Sequence, residues 1–416
     1  MARPFFHGWK VVAVAFLVGL FGFGLGFYGA GVYLAVLRAR HGWSTSLISS
    51  AITTYYLLGA TGVLFVGDAY KRLGPRRVVL VGAAALTLGV SGLTLAREPW
   101  HLFAAFAVMS VGWAATSGAA LNVIVAPWFE RRRGLAISLA FNGATGGGVV
   151  VVPLLLFLIS RLGFEAGVRV TVVVMLAVLL PPVVAWLHRG PAVLGLGPDG
   201  DPPAAPRAAA AGAVDARSVL RRAHFWTISV PFALGLLAQV GIITHQIAYL
   251  GPLLGPVGAG LAVSVTTAAG VMGRLALGGV VDRLDRRAVT AAVLLVQILG
   301  VAVLLAAPSR AALYGACALF GLGVGNLTTL PGLIVQREFP PERFARTVSL
   351  VVAFNQYAFA FGPALLGVLR DATGSYTVPL ALCMLLEGMA AIVVLIRPSA
   401  NRGAPRLRRG ATSVGV

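Results

Sequence analysis

The feature of this sequence that most limits its fold is a series of apolar blocks separated by short polar segments. Most blocks are about 20 residues long or longer, the length at which a helix crosses a hydrocarbon core about 30 Å thick. Only 11% of the residues are charged, against about a quarter in a soluble domain. The sequence therefore predicts an all-α membrane protein and not a large soluble core.

The blocks predict twelve transmembrane helices in two groups of six. The first group lies in residues 1–187 and the second in residues 223–398, followed by a tail at residues 399–416. Residues 188–222 are rich in Pro, Ala and Gly and predict a flexible cytoplasmic linker. The predicted spans are residues 8–37, 46–66, 78–96, 100–126, 134–160, 167–187, 223–250, 257–281, 288–307, 311–336, 346–369 and 374–396.

The net charge of +20 is distributed in a way that indicates the membrane orientation. If every second loop is cytoplasmic, 25 of the 33 Lys and Arg residues lie in or next to the loops on that side, seven lie in or next to the opposite loops, and Arg274 alone lies deep inside a span. Because cytoplasmic loops are enriched in Lys and Arg, both termini are expected in the cytoplasm of a bacterial-type inner membrane. The basic charge then needs no nucleic-acid partner, and membrane lipid is the expected neighbour of the basic loops.

The two halves of the chain repeat each other weakly. GDAYKRLGPRR, which begins at Gly67, is similar to GGVVDRLDRR, which begins 211 residues later at Gly278. Residues 140–142 recur as residues 353–355, an offset of 213. Repeated halves around a central cavity are an architecture of secondary transporters, so the repeats favour that class of protein.

These motifs resemble the major facilitator superfamily over essentially the whole chain. The basic loops after spans two and eight are similar to the gating loop of that superfamily, in which a Gly and an acid precede several basic residues. Within the superfamily, the chain looks most like the monocarboxylate-porter and oxalate/formate-exchanger group. The residues behind this narrower resemblance are Gly8–Trp9, Gly42–Ser44, Trp128–Phe129, Arg131–Ala136, Phe225–Trp226, Gly273–Arg274, Gly278, Gly362–Pro363 and Asp371–Tyr376.

The resemblance implies two pseudo-symmetric six-helix bundles that move by alternating access, with a cytoplasmic gate. The gate residues it implies are Asp68, Arg72, Asp282 and Arg283. The first gating loop departs from the family pattern, because Lys71 stands where the acid is usual and Asp68 lies about one turn earlier. If Asp68 does not substitute for that acid, the second half must hold the gate.

Arg274 is the clearest candidate for substrate binding. An arginine near the bilayer midplane costs at least about 2.5–3.5 kcal/mol unless it faces partners or water. Its planar guanidinium suits a carboxylate bound through two hydrogen bonds. The resemblance assigns this position to the substrate carboxylate as well. The alternative is a salt bridge or carbonyl contact that only joins helices.

Six further residues are candidates for the substrate site, and each has a simpler explanation in helix packing. The amides Asn142 and Asn355 occupy equivalent positions in spans five and eleven, and Gln356 and Tyr357 follow the second of them. Oxalate-exchanging members are thought to use a second cation in span eleven, which this sequence lacks. Tyr28 and Trp113 are candidate cavity walls.

Two residues are candidates for carrying a coupling proton. His245 lies near the outer end of span seven, and a histidine can titrate near neutrality. Glu387 is the only acid deep in a span, where burial raises a carboxyl pKa. Their alternatives are an interfacial histidine in contact with water and a neutral acid that packs in span twelve.

The sequence carries no pattern typical of an enzyme, a cofactor or a metal site. There is no Walker loop, no His/Cys cluster has metal-ligand spacing, and the Gly146–Gly148 run lies inside a span, where it predicts close helix contact. We therefore predict a secondary transporter for a small organic anion, most simply a monocarboxylate, with proton symport or anion exchange. The alternative is a proton-driven exporter of drugs or amphipathic metabolites, which predicts a wide aromatic cavity and an essential buried acid in the first half. No first-half span contains an acid.

Overall fold

The computed structural model describes residues 6–202, 216–278, 280–281, 283–307 and 309–397. All regular elements in these residues are helical. The main helices are α1 (His7–His41), α2 (Thr45–Leu73), α3 (Pro75–Thr94), α4 (Pro99–Trp128), α5 (Arg133–Leu162), α6 (Phe164–Trp186), α7 (Ala223–Gly278), α8 (Arg286–Ala306), α9 (Arg310–Val324), α10 (Leu330–Glu338), α11 (Glu342–Thr373) and α12 (Thr377–Leu395).

Ten of these helices are long enough and apolar enough to cross a membrane within the part of the chain that the structure describes. This confirms the membrane protein and leaves the number twelve a prediction. The difference has two local causes. The 56 residues of α7 would measure about 84 Å if straight, and Gly255, with φ of +76°, interrupts them between the expected spans seven and eight. The expected tenth span is divided between α9 and α10 by the turns at residues 325–329.

The chain alternates between two sides of the bundle. We call the side on which residues 6 and 397 lie the terminal side, and the other the far side. On the terminal side, the ring of Phe6 meets Phe129 edge-on at 5.5 Å, and His7 contacts the carbonyl of Trp186 at 2.9 Å. These contacts hold the start of α1 against the ends of α4 and α6.

Residues 188–202, the described beginning of the predicted linker, pack against the first half on the terminal side. The Asp199 carboxylate accepts hydrogen bonds from the backbone amides of Glu130 and Arg131 at 3.0 and 2.8 Å. Arg131 also forms a salt bridge with Asp201 at 3.0 Å. Burial alone would raise the pKa of Asp199, but these amides and the Arg131 charge lower it below its usual value. Residues 203–215 of the predicted linker and the predicted tail lie outside the described residues.

Three helices of the first half are irregular at mid-length. Residues Gly22–Tyr28 of α1 and Gly147–Val151 of α5 form wide, π-helical turns. These turns pack together, because a Cβ added at Gly147 would lie 2.5 Å from the amide nitrogen of Gly24. In α4 the chain leaves the helical conformation at Ser117, whose hydroxyl caps the next segment. Such turns often mark functional sites, and here they are close to one another in the middle of the bundle.

Candidate functional site

The two halves are in contact along two lines, which we call seams, and the first seam lies between α2 and α11. On the far side, the Ser46 amide donates to the Asp371 carboxylate at 2.6 Å. Near mid-length, the hydroxyls of Thr61 and Tyr357 lie 3.0 Å apart. One turn further toward the terminal side, Phe65 is 63% exposed on the same stripe of α2. The seam is therefore closed on the far side and separates toward the terminal side.

A second seam lies between α5 and the part of α7 that follows Gly255. The Ser264 hydroxyl donates to the carbonyl of Val149 at 2.9 Å. A Cβ at Gly148 would touch Thr267, so the backbones are in close contact there. Leu275, two turns beyond Thr267, is exposed. From these contacts and exposures we infer a central cavity between the halves that opens to the terminal side.

Arg274 lies where this second seam has separated. It follows Thr267 by seven residues, which is about two turns and about 10 Å along the helix, so it points from the same face toward the first half. It forms no hydrogen bond or salt bridge with any described residue, and its buried Nε has no partner. A cation within a membrane bundle is thus left available to a ligand.

The guanidinium of Arg274 packs against the break between α9 and α10. A Cβ added at Gly325 would lie 2.7 Å from Nη2 and 2.8 Å from Nε of Arg274. Gly273, the residue before Arg274, packs against the carbonyl of Leu322, which lies about one turn before Gly325. The contact is so close that no side chain would fit at Gly273. These glycines let the broken helix approach the arginine, and they were not selected from the sequence as site residues.

Tyr28 faces Arg274 from the first half, and its hydroxyl interacts electrostatically with the guanidinium. The ring of Tyr28 meets Phe27 edge-on at 5.1 Å. The ring of Trp113 stacks on Phe27, with 5.8 Å between the ring centroids and 19° between the ring planes. The structure therefore brings the predicted residues Arg274, Tyr28 and Trp113 into one region, and it adds Phe27.

The predicted amides differ in their surroundings. Asn142 is exposed on α5, whereas its repeat equivalent Asn355 is buried on α11 with Oδ1 lacking a hydrogen-bond partner among the described residues. Gln356 is half-buried, and Tyr357 contacts Thr61 across the first seam. The role of these residues in binding remains a prediction.

His245 is buried on the far-side part of α7. Its Nε2 lies 2.9 Å from the carbonyl of Pro363 and its Nδ1 lies 3.1 Å from the hydroxyl of Tyr376. Since a carbonyl only accepts, Nε2 donates to Pro363, and in a neutral imidazole Nδ1 then accepts from the Tyr376 hydroxyl. The interfacial, water-contacting alternative is wrong for this residue, because only 1% of its surface is exposed.

Glu387 is completely buried in α12, which packs against α7 and α8. Neither carboxylate oxygen has a hydrogen-bond partner among the described residues. A carboxyl group in such a position is costly when ionised, so the neutral form is favoured.

The predicted gate can be followed at three of its four residues. Asp68, Arg72 and Arg283 are exposed on the terminal side and make no salt bridge with the described part of the chain. Asp282, the fourth gate residue, lies outside the described residues. The gate therefore stays a prediction.

Arg287 is a buried arginine whose partners could not be read from the sequence. It is 2% exposed and forms a two-point ion pair with Glu338, with both N···O distances 2.7 Å. It also donates to the carbonyls of Thr227, Val394 and Ile396. In the sequence it counts only as one more basic loop residue, because Glu338 lies 51 positions away.

Both halves of the chain match the family model described as Major Facilitator Superfamily, over residues 16–257 and 248–414. The chain belongs to the Major Facilitator Superfamily. Mouse monocarboxylate transporter 11 is 30% identical over 402 residues, which cover 90% of this chain and 84% of that protein. Bovine monocarboxylate transporter 13 is 26% identical over 93% of this chain and 89% of its own length.

Solved structures of other members of the superfamily share the fold. The nucleoside transporter NupG aligns with a TM-score of 0.71 at 13% identity, over 93% of this chain and 98% of that one. A bacterial homologue of the human lysosomal transporter Spinster, in an inward-facing and unoccupied conformation, aligns with a TM-score of 0.67 at 15% identity, over 95% of each chain. The protein is thus a multi-pass membrane transporter of this superfamily and not an enzyme.

Proposed function

We propose that this superfamily member is a secondary active transporter that moves a small organic anion, most simply a monocarboxylate, across a bacterial-type cytoplasmic membrane. The observation that carries the proposal is the guanidinium of Arg274, which faces the central cavity without a partner. A carboxylate would satisfy it through two hydrogen bonds and cancel its charge. Relatives named monocarboxylate transporters favour the same class of substrate.

Transport would proceed by alternating access of the two halves about this site. The terminal side would be cytoplasmic, since most basic loop residues lie there, and the described conformation would be the inward-open one. Closure on that side would bring Asp68 and Arg72 toward Asp282 and Arg283. Neutralising Arg274 with the substrate would lower the cost of enclosing the charge in the closed cavity.

The polar residues near the cavity would complete the site. Tyr28 and Trp113 would line it from the first half. Asn142, Asn355, Gln356 and Tyr357 would offer hydrogen bonds to a substrate carboxylate or hydroxyl. The driving ion would be a proton in symport or a counter-anion in exchange, with His245 and Glu387 as the candidates for a proton site.

The alternative function is proton-driven export of drugs or amphipathic metabolites. That mechanism would use a buried acid in the first half, and all four acids in residues 1–187 stand near helix ends, at Asp68, Glu98, Glu130 and Glu165. Anion transport therefore fits the charges of the chain better.

The test is uptake of a labelled carboxylate panel into proteoliposomes, with and without a pH gradient. Arg274→Gln should reduce uptake at least about a hundredfold, since it removes a charged partner of the anion worth about 3 kcal/mol. Arg310→Gln, at an exposed arginine of a helix start, is the matched control and should transport normally. Normal transport by Arg274→Gln would refute anion pairing. Efflux of hydrophobic cations without any carboxylate uptake would favour the exporter.

A further inference from the structure

We infer that the carboxylate accepted at Arg274 carries an aromatic or similarly flat apolar body, and that the rings of the first half and of α11 recognise this body. The inference rests on the proposed function, because it assumes that Arg274 binds the carboxylate. It goes further by naming the class of acid: arylcarboxylates and arylacetates rather than short hydroxy, keto or dicarboxylic acids.

The first observation is a connected group of rings, which we call the aromatic wall: Phe23, Phe27, Tyr56, Trp113 and Phe359. Trp113 meets Phe23 at 4.9 Å and Phe27 at 5.8 Å. Tyr56 lies 5.9 Å from Phe27 and 5.8 Å from Phe359, the latter edge-on. Because Phe359 belongs to α11 and the other rings belong to α1, α2 and α4, the wall spans both halves.

The second observation is which parts of the wall are uncovered. Trp113 and Tyr56 are buried behind the others, whereas Phe23, Phe27 and Phe359 are partly exposed. The Tyr56 hydroxyl already donates to the carbonyl of Phe27 at 3.1 Å. The uncovered surface therefore consists of phenyl rings, which attract a flat apolar group and offer no donor to a substrate hydroxyl.

The third observation is the position of the charge relative to the wall. Tyr28 links the two, because its ring contacts Phe27 and its hydroxyl interacts with Arg274. Arg274 is the one Lys or Arg that lies deep inside a predicted span. A second carboxylate on the substrate would therefore face the rings without a cation, and its desolvation would oppose binding.

The inferred order of preference is aryl monocarboxylate first, short monocarboxylate second and dicarboxylate last. Enclosing a phenyl ring against other rings should favour benzoate or phenylacetate over acetate or lactate by at least about tenfold in apparent affinity. Phe27→Ala and Phe359→Ala should remove most of this preference, because they should reduce benzoate and phenylacetate uptake far more than lactate uptake. Phe157→Ala, at an exposed ring of α5 on the far side, is the matched control and should keep the preference.

The experiment is competition and direct uptake in proteoliposomes with labelled benzoate, phenylacetate, lactate, acetate and succinate. Phe27→Leu and Phe359→Leu accompany the alanine variants, and size-exclusion profiles in detergent confirm that all variants are folded. Equal affinity of the wild type for benzoate and lactate would overturn the inference. So would alanine variants that lose both acids in equal proportion.

The outcomes separate the inference from the function beneath it. If no carboxylate of the panel is transported, the proposed function fails and the inference falls with it. If lactate or acetate is transported in an Arg274-dependent way and the aryl acids are excluded, only the inference fails. If aryl acids are preferred and the preference disappears in Phe27→Ala and Phe359→Ala, both stand.

Discussion

The two halves of this transporter repeat one helical pattern but differ in what they bury. Among the described residues, the second half buries a histidine, an arginine and an acid, namely His245, Arg287 and Glu387, and Arg274 is partly buried. The buried polar side chains of the first half are serines and threonines. Its centre is instead aromatic, and α1, α4 and α5 are irregular there.

This difference indicates how the halves divide the proposed task. The second half supplies the charge of Arg274 on α7, a helix that Arg287 joins to its neighbours by hydrogen bonds. The first half supplies an apolar surface on helices with wide turns. A substrate with a carboxylate and an apolar body satisfies both surfaces only when the two halves enclose it. Binding energy would then be realised mainly in the enclosed state, which is how a ligand favours one conformation over another.

The largest effect that tests this comparison is expected at Arg287. Arg287→Ala leaves Glu338 unpaired beside three carbonyls that lose their donor, and breaking a buried ion pair costs about 3–5 kcal/mol. The free energy of unfolding in detergent, measured by thermal or denaturant unfolding, should fall by about that amount.

Arg77→Ala provides the first-half control for Arg287→Ala. Both arginines are the second of an Arg pair that follows a gating loop, but Arg77 is exposed and has no ion-pair partner among the described residues. Its replacement should leave the unfolding transition almost unchanged. Equal destabilisation by the two variants would show that the Arg287 ion pair does not stabilise the second half more than Arg77 stabilises the first.

Much of this molecule could be predicted from the sequence, and the limits have physical causes. Apolar length and Arg and Lys placement predicted the membrane helices, and motif resemblance predicted the superfamily. Arg274 stood out because a charge in a span is costly. The close contact predicted at Gly146–Gly148 is confirmed, since Gly147 packs on Gly24 and Gly148 on Thr267.

What could not be predicted depends on contacts between residues that are distant in sequence. The Arg287–Glu338 pair and the ring of Phe359 against Tyr56 involve separate helices, so no local pattern reveals them. The wide turns at Gly22–Tyr28 add a residue per turn without a proline to mark them. The positive φ at Gly255 divides α7 where the sequence only suggested a boundary between two spans.

An intermediate effect on stability is expected at Glu387, whose buried carboxyl oxygens have no hydrogen-bond partner among the described residues. Glu387→Met replaces a buried, unsatisfied carboxyl by an apolar side chain of similar size, so stability should be unchanged or rise by about 1–2 kcal/mol. Unfolding in detergent measures the first part. Uptake driven by a pH gradient should persist if the carboxyl only packs.

Loss of gradient-driven uptake in a folded Glu387→Met protein, with anion exchange retained, would contradict that expectation. It would instead assign the coupling proton to Glu387. The conservative Glu387→Gln variant should then lose coupling as well, because its amide cannot carry the proton.

The smallest effect concerns residues 188–202 of the linker, whose described side-chain hydrogen bonds and salt bridges are with the first half. Asp199→Asn weakens two hydrogen bonds from the amides of Glu130 and Arg131, at a cost of about 1 kcal/mol.

Because the pKa of Asp199 is lowered in the folded protein, its contribution is present above the ordinary aspartate pKa of about 3.9 and disappears as the pH falls through the lowered value. Hydrogen exchange of the Glu130 and Arg131 amides should therefore be faster in the variant than in the wild type at pH 7, and the two should converge only as the pH falls through the lowered pKa of Asp199. Asp201→Asn, which removes only an exposed salt bridge with Arg131, should change this exchange much less. Similar exchange in the wild type and Asp199→Asn at pH 7 would mean that the carboxylate does not hold residues 188–202 against the first half.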